Sequence, residues 1–286
     1  MSTIARSRNT RGHAPAVTRH FILAAGALVM LYPVLWMLSA SLKPTTEIFS
    51  NPSLIPKDPT FGNYTEGWFG VEMNFDVYII NSLIVCTLAV IGNVITCSMA
   101  SYAFSRLDFR FRKLAFAVML VTIMLPFHAV LIPQYSLFNA LGWINSFLPL
   151  VVPKFLAVDS FFIFLMVQFI RGIPHELDEA AEIDGAGPVR RYFSIILPLL
   201  SPALVTTGIF TFVWTYDDLF SQMIYLSDRW LQTVPVGLRS FLDATSASNW
   251  GSMLAMSVVS LIPVVVLFFI FQRRLVEGVS AGGIKG

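Results

Sequence analysis

Residues 171–198 read RGIPHELDEAAEIDGAGPVRRYFSIILP, and this polar stretch lies between two long apolar runs. Its first half is acidic, which suits the positive end of a helix dipole. The acids concerned are Glu176, Asp178 and Glu179. Gly185 and Gly187 can end such a helix by taking positive φ, and Pro188 can begin a second one. The stretch therefore predicts a short helix, a turn and a second helix that runs to Pro198.

Apolar runs on both sides of this stretch occupy most of the chain. The 286 residues are 56% hydrophobic and only 13% charged, whereas a soluble domain is about a quarter charged. Six runs reach the roughly 20 residues that a helix needs to cross a bilayer, and none alternates with the period of two that a barrel strand requires. They are Phe21–Leu42, Val77–Tyr102, Leu114–Tyr135, Phe147–Ile170, Ala203–Leu226 and Met253–Phe271. These runs predict an all-α polytopic membrane protein with six transmembrane helices.

The basic residues predict how the six helices are oriented. Of the 19 Lys and Arg, 14 lie in the N-terminus, the second-to-third loop, the fourth-to-fifth loop and the C-terminus. Four lie in the other loops, and Lys154 lies inside a predicted span. The positive-inside rule then places both termini in the cytoplasm, with residues 171–198 on the same side. The net charge of only +2 gives no indication of a nucleic-acid partner.

The polar stretch also contains a spaced motif. Glu179-Ala180-Ala181 is followed after three residues by Gly185, and after nine more by Ile195, then Leu197-Pro198. This pattern resembles the EAA motif of permease subunits of binding-protein-dependent ABC importers. The resemblance implies that the first short helix is a coupling helix that docks on an ATP-binding subunit. The residues it implies for ATPase coupling are Glu179, Ala180, Ala181, Asp184, Gly185, Leu197 and Pro198.

Further matches are similar to the maltose-type carbohydrate permeases. Trp214-Thr-Tyr-Asp-Asp-Leu219 resembles a W-x-W-N-D pattern of that family, although Tyr216 and Asp217 depart from it. Asn81-Ser82, at the start of the second span, and the glycine-rich end of the chain also match. The resemblance divides the chain into four parts. They are a cytoplasmic basic N-terminus (1–20), a first transmembrane helix with an extracytoplasmic loop (21–76), a core permease domain with coupling helices at about 174–198 (77–272), and a cytoplasmic tail (273–286).

The resemblance implies an assembly in a bacterial inner membrane. Its partners are a second, homologous permease subunit, an ATP-binding subunit dimer, an extracytoplasmic solute-binding protein and membrane lipid. The sequence has no G-x-x-x-x-G-K-[ST] phosphate loop, so ATP and magnesium are expected in the partner ATPase and not in this chain. Neither a catalytic arrangement nor a metal cluster is recognisable, and the chain is not expected to be an enzyme by itself.

Charged residues inside membrane spans indicate functional sites because their burial in lipid is costly. The candidates for the translocation path are Lys154, Asp159, Trp214, Tyr216, Asp217 and Asp218. Lys154 and Asp159 are five residues apart, about 140° around a helix, so each is expected to face a cavity or another helix. Alternatively, Lys154 extends to the membrane interface. Adjacent helical residues point about 100° apart, so one of Asp217 and Asp218 at most is expected to face the path.

Two rival functions remain open at this point. The intramembrane Asp and Lys residues could instead bind ions in a secondary transporter driven by an ion gradient. The chain could also be a membrane scaffold that transports nothing. The motif spacing favours the ABC importer hypothesis, in which the chain is a permease for a sugar or a sugar-like solute.

Overall fold

A computed structural model describes residues 13–70, 73–242 and 249–283, and the side chains of 18–70, 73–242 and 249–272. Within these ranges the chain is all-α and contains no strand, which confirms the predicted fold class. The α-helices are α1 His13–Ser41, α2 Thr45–Ile48, α3 Gly62–Phe69, α4 Phe75–Arg106, α5 Arg112–Thr122, α6 Phe127–Ala140, α7 Leu148–Val151, α8 Ser160–Arg171, α9 Glu176–Ile183, α10 Pro188–Arg191, α11 Leu197–Leu199, α12 Ser201–Tyr216, α13 Leu219–Tyr225, α14 Val234–Ser240 and α15 Trp250–Gly283. Short 3₁₀ turns cover Val152–Leu156 and Arg229–Leu231, and a π-helical segment covers Tyr192–Ile196.

Helix α4 is the centre of the bundle, where it packs against α8 and α12. Its 32 residues are mostly apolar, yet the buried side includes small and polar side chains. Asn93 is fully buried and donates a hydrogen bond from Nδ2 to Thr211 Oγ1 of α12 at 2.8 Å. Small residues that allow close approach, together with hydrogen bonds between helices, are the usual basis of helix packing in membranes.

The number of spanning helices depends on how two bent pairs are counted. Four helical segments are by themselves long and apolar enough to cross a membrane, and the number becomes six if each bent pair forms one span. The four segments are Thr18–Ser41, Phe75–Arg106, Leu148–Arg171 and Trp250–Gln272. Six apolar regions are therefore present, as predicted, but the third, fourth and fifth of them are not continuous helices.

The predicted third span, 114–135, is broken. Helices α5 and α6 meet at an angle of 104°, with the break before Phe127. Pro126 accounts for this position, because it has no N–H for the helix ladder and disfavours helical geometry in the residue before it. Pro133, in contrast, lies inside α6 without ending it.

The predicted fifth span, 203–226, also differs from the structure. Helix α12 ends at Tyr216, and α13 begins only at Leu219. At its other end, α12 is bent by 74° relative to the Pro188–Leu199 helical segment. The bend separates α12 from the short helices around residue 190, and the gap after Tyr216 separates it from α13.

The connecting segments are sorted between the two ends of the bundle. At one end, Asn81 Nδ2 donates to the carbonyl oxygens of Trp230 and Gln232, both at 2.8 Å, so the start of α4 is tied to the segment after α13. At the other end, the last turn of α4 contacts the α8–α9 connection through Arg106. This sorting matches the alternation that six crossings require.

Two predicted segments differ from the structure. The extracytoplasmic loop predicted after the first span contains the short helices α2 and α3. The predicted tail 273–286 continues α15 as far as Gly283. Its side chains and residues 284–286 lie outside the described part, as do residues 1–12 of the predicted basic N-terminus.

Candidate functional site

The EAA-like stretch forms the predicted helix, turn and second helix. Helix α9 ends in a paired hydrogen-bond arrangement: Ala186 N–H donates to Ala181 O at 2.8 Å, and Gly185 N–H donates to Glu182 O at 3.0 Å. This is a Schellman motif, which requires a left-handed residue at the position of Gly185. Gly185 has φ of +77°, as expected, whereas Gly187 is extended at φ −67° and ψ 169° and only precedes the next helix.

Helix α9 has an inner and an outer face. Asp178 and Ala181 are buried against the bundle. Glu179 and Ala180 are exposed, and Ile183 is 87% exposed at the last turn. The outer face of α9 therefore presents a strongly exposed isoleucine beside a small residue and an acid.

The EAA-like stretch has two arms. The first arm is α9, and the second arm consists of α10, the π-helical segment and α11. Tyr192 and Ile196 are buried, whereas Val189 and Phe193 are exposed. Leu197 and Pro198 begin α11, where Leu197 is partly buried and Pro198 is exposed. Exposed apolar side chains therefore occur on both arms. Asp184 is the C-cap residue of α9 and is exposed beside Gly185.

The two arms are linked to each other and to α4. Arg191 Nη1 forms an ion pair with Glu182 Oε2 at 2.9 Å, which joins the second arm to α9. Tyr102 Oη donates to Pro188 O at 3.0 Å. The largest contact is made by Arg106, which bonds to the α8–α9 connection and pairs with Asp178. From the sequence, Arg106 is recognisable only as one of the basic residues of the second-to-third loop that set the orientation.

Lys154 and Asp159 form an ion pair, which corrects the expectation that their spacing keeps them apart. Lys154 Nζ lies 2.8 Å from Asp159 Oδ2, and both side chains are about one quarter exposed. The expectation assumed a continuous helix, but Ala157 adopts φ 55° and interrupts it. This interruption removes the 140° offset of a continuous helix, and the two charges meet.

Asp159 also lines a groove of about 350 Å³ between the broken third span, the start of α8 and the end of α12. Its polar lining includes Thr122, Gln134 and Ser160, and the hydroxyls of Thr122 and Ser160 lie 2.7 Å apart. Trp214, which is 51% exposed, supplies an aromatic wall. Thr122, Gln134 and Ser160 are not recognisable as site residues from the sequence. Uncharged polar residues inside a span do not indicate a groove until the break in the third span is known.

The four candidates at the end of α12 separate into different environments. The Trp214 ring packs against Phe161 and Phe162. Tyr216 faces the opposite way, where it is buried and donates from Oη to Ser260 O of α15 at 2.9 Å. Asp217 is exposed, and Asp218 caps α13 by accepting from Ser221 N–H at 3.0 Å. Of these four, only Trp214 lines the groove.

Comparison with known proteins gives the family. Residues 92–281 match the family described as "Binding-protein-dependent transport system inner membrane component". This match covers most of the chain, and the chain belongs to that family. Because a transport family accounts for both the broken spans and the exposed helix pair, it favours the importer hypothesis over an ion-driven transporter or a scaffold.

Named relatives extend the comparison to nearly the whole chain. The chain is 31% identical over 274 residues to the trehalose/maltose transport system permease protein MalG of Thermococcus litoralis, covering 94% of this chain and 98% of the relative. It is 33% identical over 268 residues to the galactooligosaccharides transport system permease protein GanQ of Bacillus subtilis, covering 93% and 94%. It is 31% identical over 288 residues to the sulfoquinovosyl glycerol transport system permease protein SmoH of Agrobacterium fabrum, covering 100% of both.

One solved structure shares the fold. It is the crystal structure of a bacterial ABC transporter involved in the import of the acidic polysaccharide alginate. The TM-score is 0.79 at 22% identity, and the alignment covers 96% of this chain and all of the matched chain. The described helices therefore have the fold of that transporter chain.

Proposed function

We propose that this chain is one of two permease subunits of an ATP-driven importer for a sugar or a sugar-like solute. The observation that carries the proposal is the exposed outer face of α9, presented at one end of a membrane helix bundle in a chain of this family. The relatives named above are permeases for different sugars and glycosides, which supports the solute class and leaves the individual solute open.

The outer face of the two arms is the proposed docking surface for the ATP-binding subunit. Ala180 allows close approach, Ile183 can enter an apolar pocket, and Glu179 can pair with a basic group of the partner. Val189 and Phe193 extend the apolar surface onto the second arm. Covering such surface is worth about 25 cal/mol per Å², so its exposure in the isolated chain is consistent with a partner that covers it. ATP and magnesium belong to that partner.

The groove beside Asp159 is the proposed part of the translocation path in this subunit. A sugar needs hydrogen-bonding partners for its hydroxyls and a flat apolar surface for the face of its ring. The groove offers the first through Thr122, Gln134 and Ser160, and the second through Trp214. The ion pair of Asp159 with Lys154 reduces the cost of placing a carboxylate there.

The proposed mechanism is alternating access. The coupling element must have different contacts in two states, or nucleotide binding could not shift the equilibrium between them. Helix α9 supplies these contacts: closure of the ATPase dimer moves it, and the groove turns outward to receive solute from a solute-binding protein. The distribution of Lys and Arg supports a cytoplasmic location for α9 and both termini in a bacterial inner membrane.

Uptake by intact cells tests the proposal. Cells that carry the chain and its partner subunits are given radiolabelled trehalose, maltose and a galactooligosaccharide, with a deletion strain as the control. An uncoupler is applied while ATP is kept high. The proposal predicts uptake of one of these sugars that survives the uncoupler and is lost on deletion. Uptake that collapses with the ion gradient would contradict ATP coupling, and an unchanged deletion strain would contradict the sugar assignment.

A further inference from the structure

Arg106 is the last residue of α4, and its side chain is only 3% exposed although it carries a full charge. Its guanidinium nitrogens reach four groups. Nη2 donates to Ile170 O at 3.1 Å and to Ile173 O at 2.6 Å, and Nη1 donates to His175 Nε2 at 2.6 Å. Nε lies 3.0 Å from Asp178 Oδ2. One side chain therefore contacts the end of α8, the connection and α9.

The four contacts need an arginine. A guanidinium holds five N–H donors in a fixed planar fork, whereas a lysine is a compact point charge on a flexible stem. The Asp178 contact is an ion pair without the alignment of a hydrogen bond, since neither Asp178 oxygen has a hydrogen-bond partner. A buried pair of this kind adds little stability, and its best-attested value is to fix the arrangement of the elements it joins.

Two further side chains of α4 support the same arrangement. Ser98 Oγ lies 2.7 Å from Tyr192 Oη in the π-helical segment, and Tyr102 Oη donates to Pro188 O at the start of α10. Ser98, Tyr102 and Arg106 are spaced by four, which places them along one face of α4. This row joins both arms of the helix pair to the central helix of the bundle.

We propose that Arg106 is a positioning residue that makes α9 move together with α4 and α8, so that displacement of α9 is transmitted to the groove. The inference rests on the proposed function, because it assumes that a partner displaces α9. The groove is bounded by the start of α8 at Ser160, and Arg106 holds the other end of that same helix. A rigid joint at Ile170 therefore gives α9 a direct mechanical route to the groove.

The test measures transmission directly and needs no knowledge of the solute. Gln134→Cys places a probe in the groove, and its rate of labelling by a membrane-impermeant maleimide reports whether the groove is open. The purified complex with its ATPase is labelled without nucleotide and after trapping with ATP and vanadate. Arg106→Gln is compared with Arg112→Gln. The control removes a charge six residues further along, at the start of α5, where Arg112 bonds to Leu107 O and not to α9.

We expect trapping to change the labelling rate in the parent complex and in the Arg112→Gln complex. In Arg106→Gln the change is expected to shrink about tenfold while vanadate-sensitive ATP hydrolysis continues, since couplings between sites are commonly worth 5- to 150-fold. A residue that only supports folding would lower the yield of complex and leave the response of the assembled fraction intact. A full response in assembled Arg106→Gln complex therefore overturns the proposal.

Asp178→Asn keeps the test decisive if Arg106→Gln gives no complex. This variant preserves the shape of the side chain and removes only the charge that faces Arg106. We expect Asp178→Asn by itself to reduce the response, because it removes one of the four contacts of Arg106. Where Arg106→Gln does assemble, the loss in Asp178→Asn should be the smaller one, and the double variant should lose no more than Arg106→Gln, because Asp178 acts through Arg106. A full response in Asp178→Asn, or additive losses in the double variant, would contradict it. A parent complex that does not respond at all would contradict the proposed function instead.

Discussion

Replacement of Gly185 tests the turn that ends α9. The residue has φ of +77°, and a Cβ added to it meets no atom within 4 Å. Space is therefore not the constraint at this position, and only the backbone conformation is. Gly185→Asn and Gly185→Val both add a side chain into open space, but Asn tolerates the left-handed region whereas a β-branched residue does so poorly.

The expected loss of affinity for the ATP-binding subunit follows from this difference in backbone preference between Val and Asn. An ordinary L-residue in the left-handed conformation costs about 1–2 kcal/mol, which corresponds to about a 5- to 30-fold change in population. If the ATP-binding subunit binds only the intact α9 end, its apparent affinity falls by the same factor. We therefore expect Gly185→Val to weaken binding by about 5- to 30-fold, and Gly185→Asn to weaken it by much less.

The assay is titration of the detergent-solubilised permease pair with its fluorescently labelled ATP-binding subunit. Unfolding of the purified permeases is followed in parallel, so that a general loss of fold is distinguished from a local change at α9. Equal affinities for the Val and Asn variants would refute the reasoning, because a purely conformational requirement must separate them. If those equal affinities are also weaker than that of the parent, the surface itself excludes any side chain at 185.

Other positions give sharper outcomes for the groove and the loop. Asp159→Asn leaves Lys154 without its partner, so uptake should fall strongly. The double change Lys154→Gln with Asp159→Asn should recover part of the uptake, because it removes both charges together. A double variant that takes up less solute than either single variant would contradict the role of the two residues as an ion pair. Trp214→Ala removes the aromatic wall and should raise the solute concentration for half-maximal uptake more than Trp214→Phe does; equal values would place the ring outside the path. Glu47 has a lowered pKa because its carboxylate accepts the Lys57 N–H, followed by the Asn51 amide. Its stabilising effect on the loop is therefore present above the usual pKa of 4.5 and is lost as the pH falls through the lowered value. The protection of amides in residues 47–57 against hydrogen exchange, corrected for the intrinsic pH dependence of exchange, should fall in that acidic window. Glu47→Gln should abolish this fall, and an unchanged protection profile in that variant would contradict the assignment.

The fold class and the helix pair follow from local rules that a sequence displays. Length and apolarity are sufficient to locate spanning helices, because every backbone group in lipid must be satisfied internally. The turn at Gly185 was predictable for the same kind of reason, since a glycine after an amphipathic helix commonly takes the left-handed conformation.

The groove was not predictable in the same way. It exists because α5 and α6 meet at a break and because the helical geometry is interrupted at Ala157, a residue type with no particular preference for positive φ. Pro126 explains the break, but tertiary packing and not residue type makes the Ala157 conformation favourable, and the Lys154–Asp159 pair depends on it. In a continuous helix Lys154 and Asp159 would point in different directions, whereas in the structure they form an ion pair.

The role of Arg106 was hidden for a different reason. The positive-inside rule already predicts a basic residue at the cytoplasmic end of a span. Membrane orientation therefore explains why residue 106 is basic, but it does not reveal the further contacts of Arg106. The spacing of Ser98, Tyr102 and Arg106 was the available signal, and it becomes meaningful only once the second arm is known to lie against that face.

The central claim is that this chain works as the membrane part of an ATP-driven importer. The most direct test is affinity purification of the tagged chain in mild detergent, followed by mass spectrometry and an ATPase assay of the eluate. If the chain is part of such an importer, we expect recovery of a second permease and an ATP-binding subunit, with ATP hydrolysis that vanadate inhibits. Recovery of the chain alone and without ATPase activity, under conditions that preserve other membrane complexes, would contradict it.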